Sequence, residues 1–343
     1  MDLFTIAGGI AAGKISLSLV KHRTPLPRVT IELALPLCQS ESVTIAVFFL
    51  LGLAIGSFLN VCITRIPEGV SIVRPRSRCP ECGSLIKPFD NVPVLSWILL
   101  RGKCRQCHTR ISPMYPSVEL ATALLFVACY LSFGFTVATV KWLFFTGLLV
   151  VLMVTDYRDR ILPDEVNWFG AVLGLAFALR VPPADGIARM LLGRHGRNLF
   201  PYWGIGVLDA IIGAVLCAGL LWSAAILYKL VRGREGMGFG DVKMMFMVGT
   251  FLGVRGALLT VLLGTLLGTV IGVALIAVLF TSGWKSALAR RASKIGLGTV
   301  RGLRWAIASR YQLPLGTFLG IAAVLIMFFG PGTNSRWSFF PLG

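Results

Sequence analysis

Long apolar runs, broken by short clusters of Arg, Lys, Pro and Gly, dominate the chain from residue 43 to residue 330. Eight runs stand out: Val43–Thr64, Ser117–Phe135, Val137–Thr155, Glu165–Arg180, Trp203–Leu230, Phe239–Leu252, Gly256–Phe280 and Leu313–Gly330. About 20 apolar residues cross a bilayer as a helix. The pattern therefore predicts an all-α polytopic membrane protein with about eight transmembrane helices. The fourth and sixth runs are short for a crossing, and short or Gly-broken segments line a cavity rather than lipid. Composition agrees: 56% of the 343 residues are hydrophobic and 14% are charged, with a mean hydropathy of +0.80. A soluble globular domain is excluded on those figures.

The net charge of +18 changes the picture by orienting it. Arg65, Arg74, Arg76, Arg78, Lys87, Arg101, Lys103, Arg105 and Arg110 lie between the first and second runs; Lys285, Arg290, Arg291, Lys294, Arg301, Arg304 and Arg310 lie between the seventh and eighth. With eight crossings both segments fall on one side, and the excess of positive charge makes that side cytoplasmic. Arg189, Arg194 and Arg197, and Lys14, Lys21, Arg23 and Arg28 in the tail, fall on the other side and run against the rule. Nucleic acid is not an expected partner: the basic residues sit beside the spans without interleaved aromatics. The expected partner of this charge is the lipid bilayer. No basic region followed by a short apolar core, the mark of a cleavable signal sequence, opens the chain.

Two CxxC pairs stand in the first basic segment, Cys79 with Cys82 and Cys104 with Cys107, with 21 residues between the pairs. That is the spacing of a zinc ribbon, in which each pair offers two thiolates to one tetrahedral ion. A reducing cytoplasm favours zinc over disulfides. His108 also completes a CxxCH haem-attachment pattern, but that chemistry belongs outside the cytoplasm, and the second CxxC favours zinc. Cys38, Cys62, Cys129 and Cys217 are isolated and read as small apolar side chains.

Acids are scarce, 15 in all. Asp156 ends the third run in "VLMVTDYRDRILPDEVN", and Asp241 opens the sixth in "GFGD". Both fall on the cytoplasmic side at similar depth, so two helices can bring them face to face. Two adjacent carboxylates share a proton, and such a pair hydrolyses peptides: one activates water while the other protonates the carbonyl. Gly238 and Gly240 leave room for a substrate backbone beside Asp241. The plainer alternative makes Asp156, Asp159 and Asp164 interfacial caps, with Asp164 an N-cap of the fourth run. Asp209 is a third intramembrane acid that pairs with a base or lines the cavity. Lys243 is expected to reach back to the interface.

Several stretches together resemble the type IV prepilin peptidase family, the GxGD aspartic membrane proteases that act as leader peptidases. They are "GSFLNVCITRIP" (56–67), "CPECGSLIKPFDNVPVLSWILLRGKCRQCHTRISPMYPSVELATALLF" (79–126), "TDYRDRILPDEVN" (155–167), "GFGDVKMM" (238–245) and "LPLGTFLGIAAVLIMFFG" (313–330). The resemblance implies an endopeptidase of the bacterial inner membrane. It would cut the basic leader from type IV prepilins or pseudopilins at the cytoplasmic face, with Asp156 and Asp241 as the catalytic pair. It also implies N-methylation of the new N-terminal residue from S-adenosylmethionine, an activity linked to the cysteine loop. The implied organisation is an N-terminal extension over 1–42, a first transmembrane helix over 43–64, a cytoplasmic four-cysteine domain over 65–116, a transmembrane peptidase domain over 117–330 and a tail over 331–343. Residues 1–42 have no counterpart in the resemblance and read as a disordered extension or as lying upstream of the true start. The insertions 181–204 and 281–312 depart from the family pattern, the second as a basic amphipathic stretch suited to anionic lipid. Two alternatives stand beside this reading: a presenilin-like intramembrane protease, which shares GxGD, and a proton- or cation-coupled transporter using Asp156, Asp209 and Asp241.

Overall fold

A computed structural model of the chain describes residues 10–11, 14–15, 29–183, 188, 190, 201–233, 238–280 and 314–330. The basic stretch 281–312, the tail 331–343 and most of 1–42 and 181–204 lie outside the described residues. The chain divides into two compact units, Met1–Thr44 and Ile45–Gly343. A small hairpin pairs β1 (Ile10–Ala11) with β2 (Lys14–Ile15). Everything else regular among the described residues is helical.

Helix α1 (Val29–Arg65) starts upstream of the predicted run, and its apolar part is Glu41–Arg65. A segment without long helices follows, holding a 3₁₀ turn (Pro88–Asn91) and the short helix α2 (Leu95–Leu99). Then come α3 (Met114–Phe133), α4 (Val137–Asp159), α5 (Asp164–Ala178), α6 (Tyr202–Arg232), α7 (Phe239–Phe280) and α8 (Leu315–Phe329). By length and composition, α1, α3, α4, α6 and α7 each contain a stretch able to cross a membrane, and α8 is a shorter apolar helix. The predicted fourth run is α5, whose 15 residues span about 22 Å, short of the ~30 Å hydrocarbon core.

The predicted sixth and seventh runs are the two helical limbs of α7, which breaks between them at Gly253, where φ is 73° and ψ is −170°. Only glycine adopts that backbone without strain. The contacts show that the chain turns back there. Before the break α7 runs alongside α5 in the same direction, because Gly170 meets Met247 and Gly174 meets Thr250. Beyond it α7 runs against α8, with Gly256 near Ile326, Gly264 on Leu319 and Gly268 on Phe318. The eight apolar runs are thus eight helical segments, two of them carried on α7.

Helix pairs approach through glycine. A Cβ on Gly249 would stand 2.5 Å from the Gly213 carbonyl oxygen, and one on Gly52 would stand 2.5 Å from Ala123 Cα. Helices in lipid associate through such close backbone contacts, because apolar surface alone gives them no reason to prefer each other to lipid tails. The central core joins Phe145, Leu149 and Leu152 of α4 to Met244, Met247, Val248 and Phe251 of α7 and to Leu319 and Met327 of α8. Phe145 and Phe251 stack at 4.7 Å. The buried Lys141 of α4 is satisfied within the fold: its Nζ donates to the Val181 carbonyl at 3.2 Å and lies 4.6 Å from the Trp142 ring.

Candidate active site and metal centre

Asp156 lies in the last turn of α4, which closes on Arg160 in the left-handed conformation (φ 56°, ψ 36°). That cap turns the chain toward α5 while Arg160 N–H bonds back to the Asp156 carbonyl at 3.0 Å. Asp241 lies in the first turn of α7. Both are buried. Leu162 of the α4–α5 turn sits between their supports: a Cβ on Gly240 would touch its Cβ at 3.0 Å, and one on Gly316 its Cδ1 at 3.1 Å. The structure thus brings Asp156 and Asp241 to one end of the bundle, from positions 85 residues apart.

The two sequence-singled glycines differ. Gly240 is needed for the close approach of α7 to Leu162, whereas beside Gly238 the nearest atom to an added Cβ is Asp241 Oδ2, 3.9 Å away. The room next to the carboxylate is therefore at Gly238.

Sequence reasoning missed the support of Asp156. Its Oδ2 accepts the Thr317 backbone N–H at 2.7 Å and lies 3.1 Å from Thr317 Oγ1, which also reaches the Met153 carbonyl at 3.0 Å. Thr317 is in the first turn of α8, so the carboxylate occupies the positive end of that helix. Gly316 makes the fit possible, since a Cβ there would stand 3.0 Å from Asp156 Oδ2. The stretch "LPLGTFLG" was visible in the sequence, but nothing local ties it to a residue 161 positions away.

Other acids have structural duties. Asp164 is not an N-cap: Pro163 holds that position, and Asp164 and Glu165 occupy the first turn of α5, where the helix dipole favours acids. Asp164 instead pairs with Lys243 at 2.5 Å, so the lysine bridges α7 to α5 rather than reaching free to the interface. A residue two positions beyond Asp241 meets a carboxylate on another helix, a contact that span length cannot reveal. Asp159 bonds Arg158 at 2.8 Å. Asp209 accepts the Ala188 backbone N–H at 2.6 Å. One turn from the Lys243–Asp164 pair, Asn167 is buried, and neither its amide oxygen nor its nitrogen has a partner among the described residues.

The four cysteines converge. The Sγ atoms of Cys79, Cys82, Cys104 and Cys107 all lie within 4.8 Å of one another, the one such cluster of His, Cys, Asp or Glu among the described residues. Cys79 and Cys107 are 3.7 Å apart, close to the roughly 3.8 Å edge of a tetrahedron with 2.3 Å zinc–sulfur bonds. Two similar turns build the cluster. Cys79 N–H bonds Ser84 O and Gly83 N–H bonds Cys79 O; Cys104 N–H bonds Thr109 O and His108 N–H bonds Cys104 O. Gly83 (φ 65°) and His108 (φ 54°) both take left-handed backbone just after the second cysteine of each pair.

The donor set fits a cation. The Ser84 hydroxyl and backbone hold Cys82 below the usual thiol range, the Cys107 and Gln106 backbone does so for Cys104, and the Thr109 backbone and hydroxyl for Cys107. The Cys82 and Glu81 backbone pulls Cys79 the same way, but burial and its thiol neighbours push it up to about 11. A divalent cation relieves that crowding of negative charge, because thiolate is the form that ligates metal. Cys62, Cys129 and Cys217 are buried and are not part of the cluster, and Cys217 Sγ donates to the Val254 carbonyl at 3.8 Å; Cys38 has no described side chain.

Comparison with known proteins supports the same assembly. The Bacterial Peptidase A24 N-terminal domain matches residues 50–133, and the Type IV leader peptidase family matches residues 143–273. A prepilin leader peptidase/N-methyltransferase of Myxococcus xanthus is 42% identical over 221 residues, which are 64% of this chain and 59% of that relative. The protein of the same description from Aeromonas hydrophila is 36% identical over 252 residues, covering 66% of this chain and 80% of the relative. That from Klebsiella pneumoniae is 34% identical, with 63% and 88% covered. No solved structure matches the chain. A family match that spans both the cysteine segment and the helices bearing the two aspartates leaves the presenilin-like and transporter readings without support. The chain belongs to the type IV leader peptidase family.

Proposed function

We propose that the protein is a bifunctional prepilin leader peptidase and N-methyltransferase of the bacterial inner membrane, with Asp156 and Asp241 as its peptidase pair. The observation that carries this is the convergence of two buried aspartates on Leu162 at one end of the bundle, with Asp156 on the N-terminus of α8. The positive-charge bias of the loops supports placing that end at the cytoplasmic face. A prepilin presents a basic leader outside the bilayer and an apolar helix within it, so its scissile bond lies at the depth of the pair.

Asp156, which faces the Thr317 amide, acts as base, and Asp241 carries the shared proton. Asp156 takes a proton from water as its oxygen bonds to the scissile carbonyl carbon, while Asp241 protonates the carbonyl oxygen. The tetrahedral diol collapses, the C–N bond breaks and the amine leaves with a proton from Asp156, while Asp241 recovers its own. The leader gains a carboxyl terminus and the mature pilin a free amine. S-adenosylmethionine would supply an electrophilic methyl group to that amine. Cys79, Cys82, Cys104 and Cys107 would hold a structural zinc ion that orders the domain linked to this second activity, with no part in the hydrolysis.

The test is cleavage of a prepilin substrate by purified protein and by Asp156→Asn and Asp241→Asn. Asn keeps the shape but cannot move the proton. Loss of one acid–base partner costs about 10²–10⁴-fold in rate, so each variant is expected to be at least that slow. Wild-type cleavage by either one would remove it from the pair.

A further inference from the structure

The cysteine segment carries an apolar face that the proposed chemistry does not use. In α2, Ser96 and Trp97 point into the domain. Ser96 Oγ donates to the Phe89 carbonyl at 3.0 Å, and Trp97 Nε1 donates to the Ile111 carbonyl at 3.2 Å. Leu95, Ile98 and Leu99 point the other way and are 52%, 58% and 72% exposed. They follow the i, i+3, i+4 spacing of one helix face. The 3₁₀ turn bonded to α2 adds Phe89, also exposed.

The helix that carries this face is tied to the beginning of α3. The Val94 backbone N–H, at the start of α2, donates to Glu119 Oε2 at 2.7 Å. Glu119 is buried and lies within the apolar span Met114–Phe133. Val94 takes a φ of 59°, which a β-branched residue adopts only where its surroundings hold it. Nearby, Asn60 of α1 donates to the Tyr115 carbonyl of α3 at 3.0 Å. The start of α2 is thus tied to a side chain of an apolar helix, and α1 and α3 carry exposed apolar side chains of their own at Phe58, Leu120 and Leu124.

The charge around the face is mainly positive. Residues 65–116 hold nine Lys and Arg against three acids. Lys87, Arg101, Lys103 and Arg105 are exposed around α2, and Asp90 among them is paired with Arg105 at 2.6 Å. An apolar patch ringed by cations matches the boundary of a bilayer with anionic headgroups.

We propose that α2 is an interfacial anchor: Leu95, Ile98, Leu99 and Phe89 enter the lipid boundary beside α1 and α3, the surrounding cations meet anionic headgroups, and the cysteine domain lies flat on the membrane. This goes beyond the peptidase reading, and its test does not depend on cleavage. A photo-crosslinking residue would replace Leu99 in the full-length protein, reconstituted in nanodiscs of phosphatidylcholine with or without phosphatidylglycerol. The expected result is a lipid adduct without any substrate present, in higher yield with phosphatidylglycerol. Amide exchange over residues 95–100 is expected to be at least tenfold slower in phosphatidylglycerol nanodiscs than in an Ile98→Ser, Leu99→Ser variant. Unchanged bound metal would show that this variant is folded. No lipid adduct, adducts only to an added prepilin or to a second copy of the chain, or equal exchange in both proteins would each overturn the proposal.

Discussion

At the residue scale, the decisive contact is Thr317 N–H to Asp156 Oδ2, with Gly316 beside it. A methyl group at residue 316 would stand 3.0 Å from that oxygen and 3.1 Å from Leu162 Cδ1, so the carboxylate must shift. Misplacing a catalytic group by about 1 Å can cost on the order of 10²-fold. Gly316→Ala is expected to cut the rate of prepilin cleavage about 10- to 100-fold with the protein still folded, read as initial rate against substrate concentration. Thr317→Val keeps the N–H and is expected to lose less. The knuckle turns offer a second case. His108 occupies the left-handed site that Gly83 fills in the companion turn, and a non-glycine residue there costs about 1–2 kcal/mol. His108→Gly is expected to stabilise the folded protein by about 1 kcal/mol, seen as a higher unfolding midpoint. His108→Ala, equally strained, is expected to leave it unchanged.

At the element scale, the contacts of the first limb of α7 determine where Asp241 sits. The limb that carries Asp241 is clamped to α6 where Gly213 and Gly249 meet, each blocking any side chain on the other. Backbone atoms cannot yield as a flexible side chain can. Gly249→Leu is expected to cost about 3 kcal/mol, at the upper end of overpacking, and to lower both the yield of folded protein in membranes and its thermal midpoint. Gly268→Ala is the control, since its nearest contact is an adjustable Phe318 ring atom at 3.3 Å, and it is expected to be mild. Much of this level was legible in advance: all eight apolar runs became helical segments, and the two short ones lie at the site. The separation of the sixth and seventh runs holds at Gly253, but the turn-back there was not legible, because hydropathy records how apolar a segment is and not whether its glycine turns the chain or continues the helix.

At the scale of the whole molecule, two chemistries are kept in separate regions of one chain, a thiol cluster outside the long helices and a carboxylate pair among them. Cys79→Ser with Cys104→Ser is expected to abolish bound zinc by elemental analysis and to suppress N-methylation of the cleaved pilin. Leader removal is expected to persist, since neither cysteine touches the aspartates. Equal zinc content in wild type and variant would refute the four-thiolate site. Loss of cleavage alongside methylation would show that the metal domain also positions the peptidase helices, through α1 and α3.

The sequence by itself determined the apolar runs, the four thiols and the two acids worth pairing. Each of these follows from local composition and spacing, which the bilayer and a metal ion read directly. Only the tertiary structure decided that Asp156 rests on the N-terminus of α8, that Lys243 belongs to Asp164, that Gly240 serves helix packing while Gly238 leaves space, and that α2 turns an apolar face outward. Those outcomes depend on the register between helices far apart in the chain. Register is set by side-chain volume and backbone approach across contacts, and no single segment carries that information.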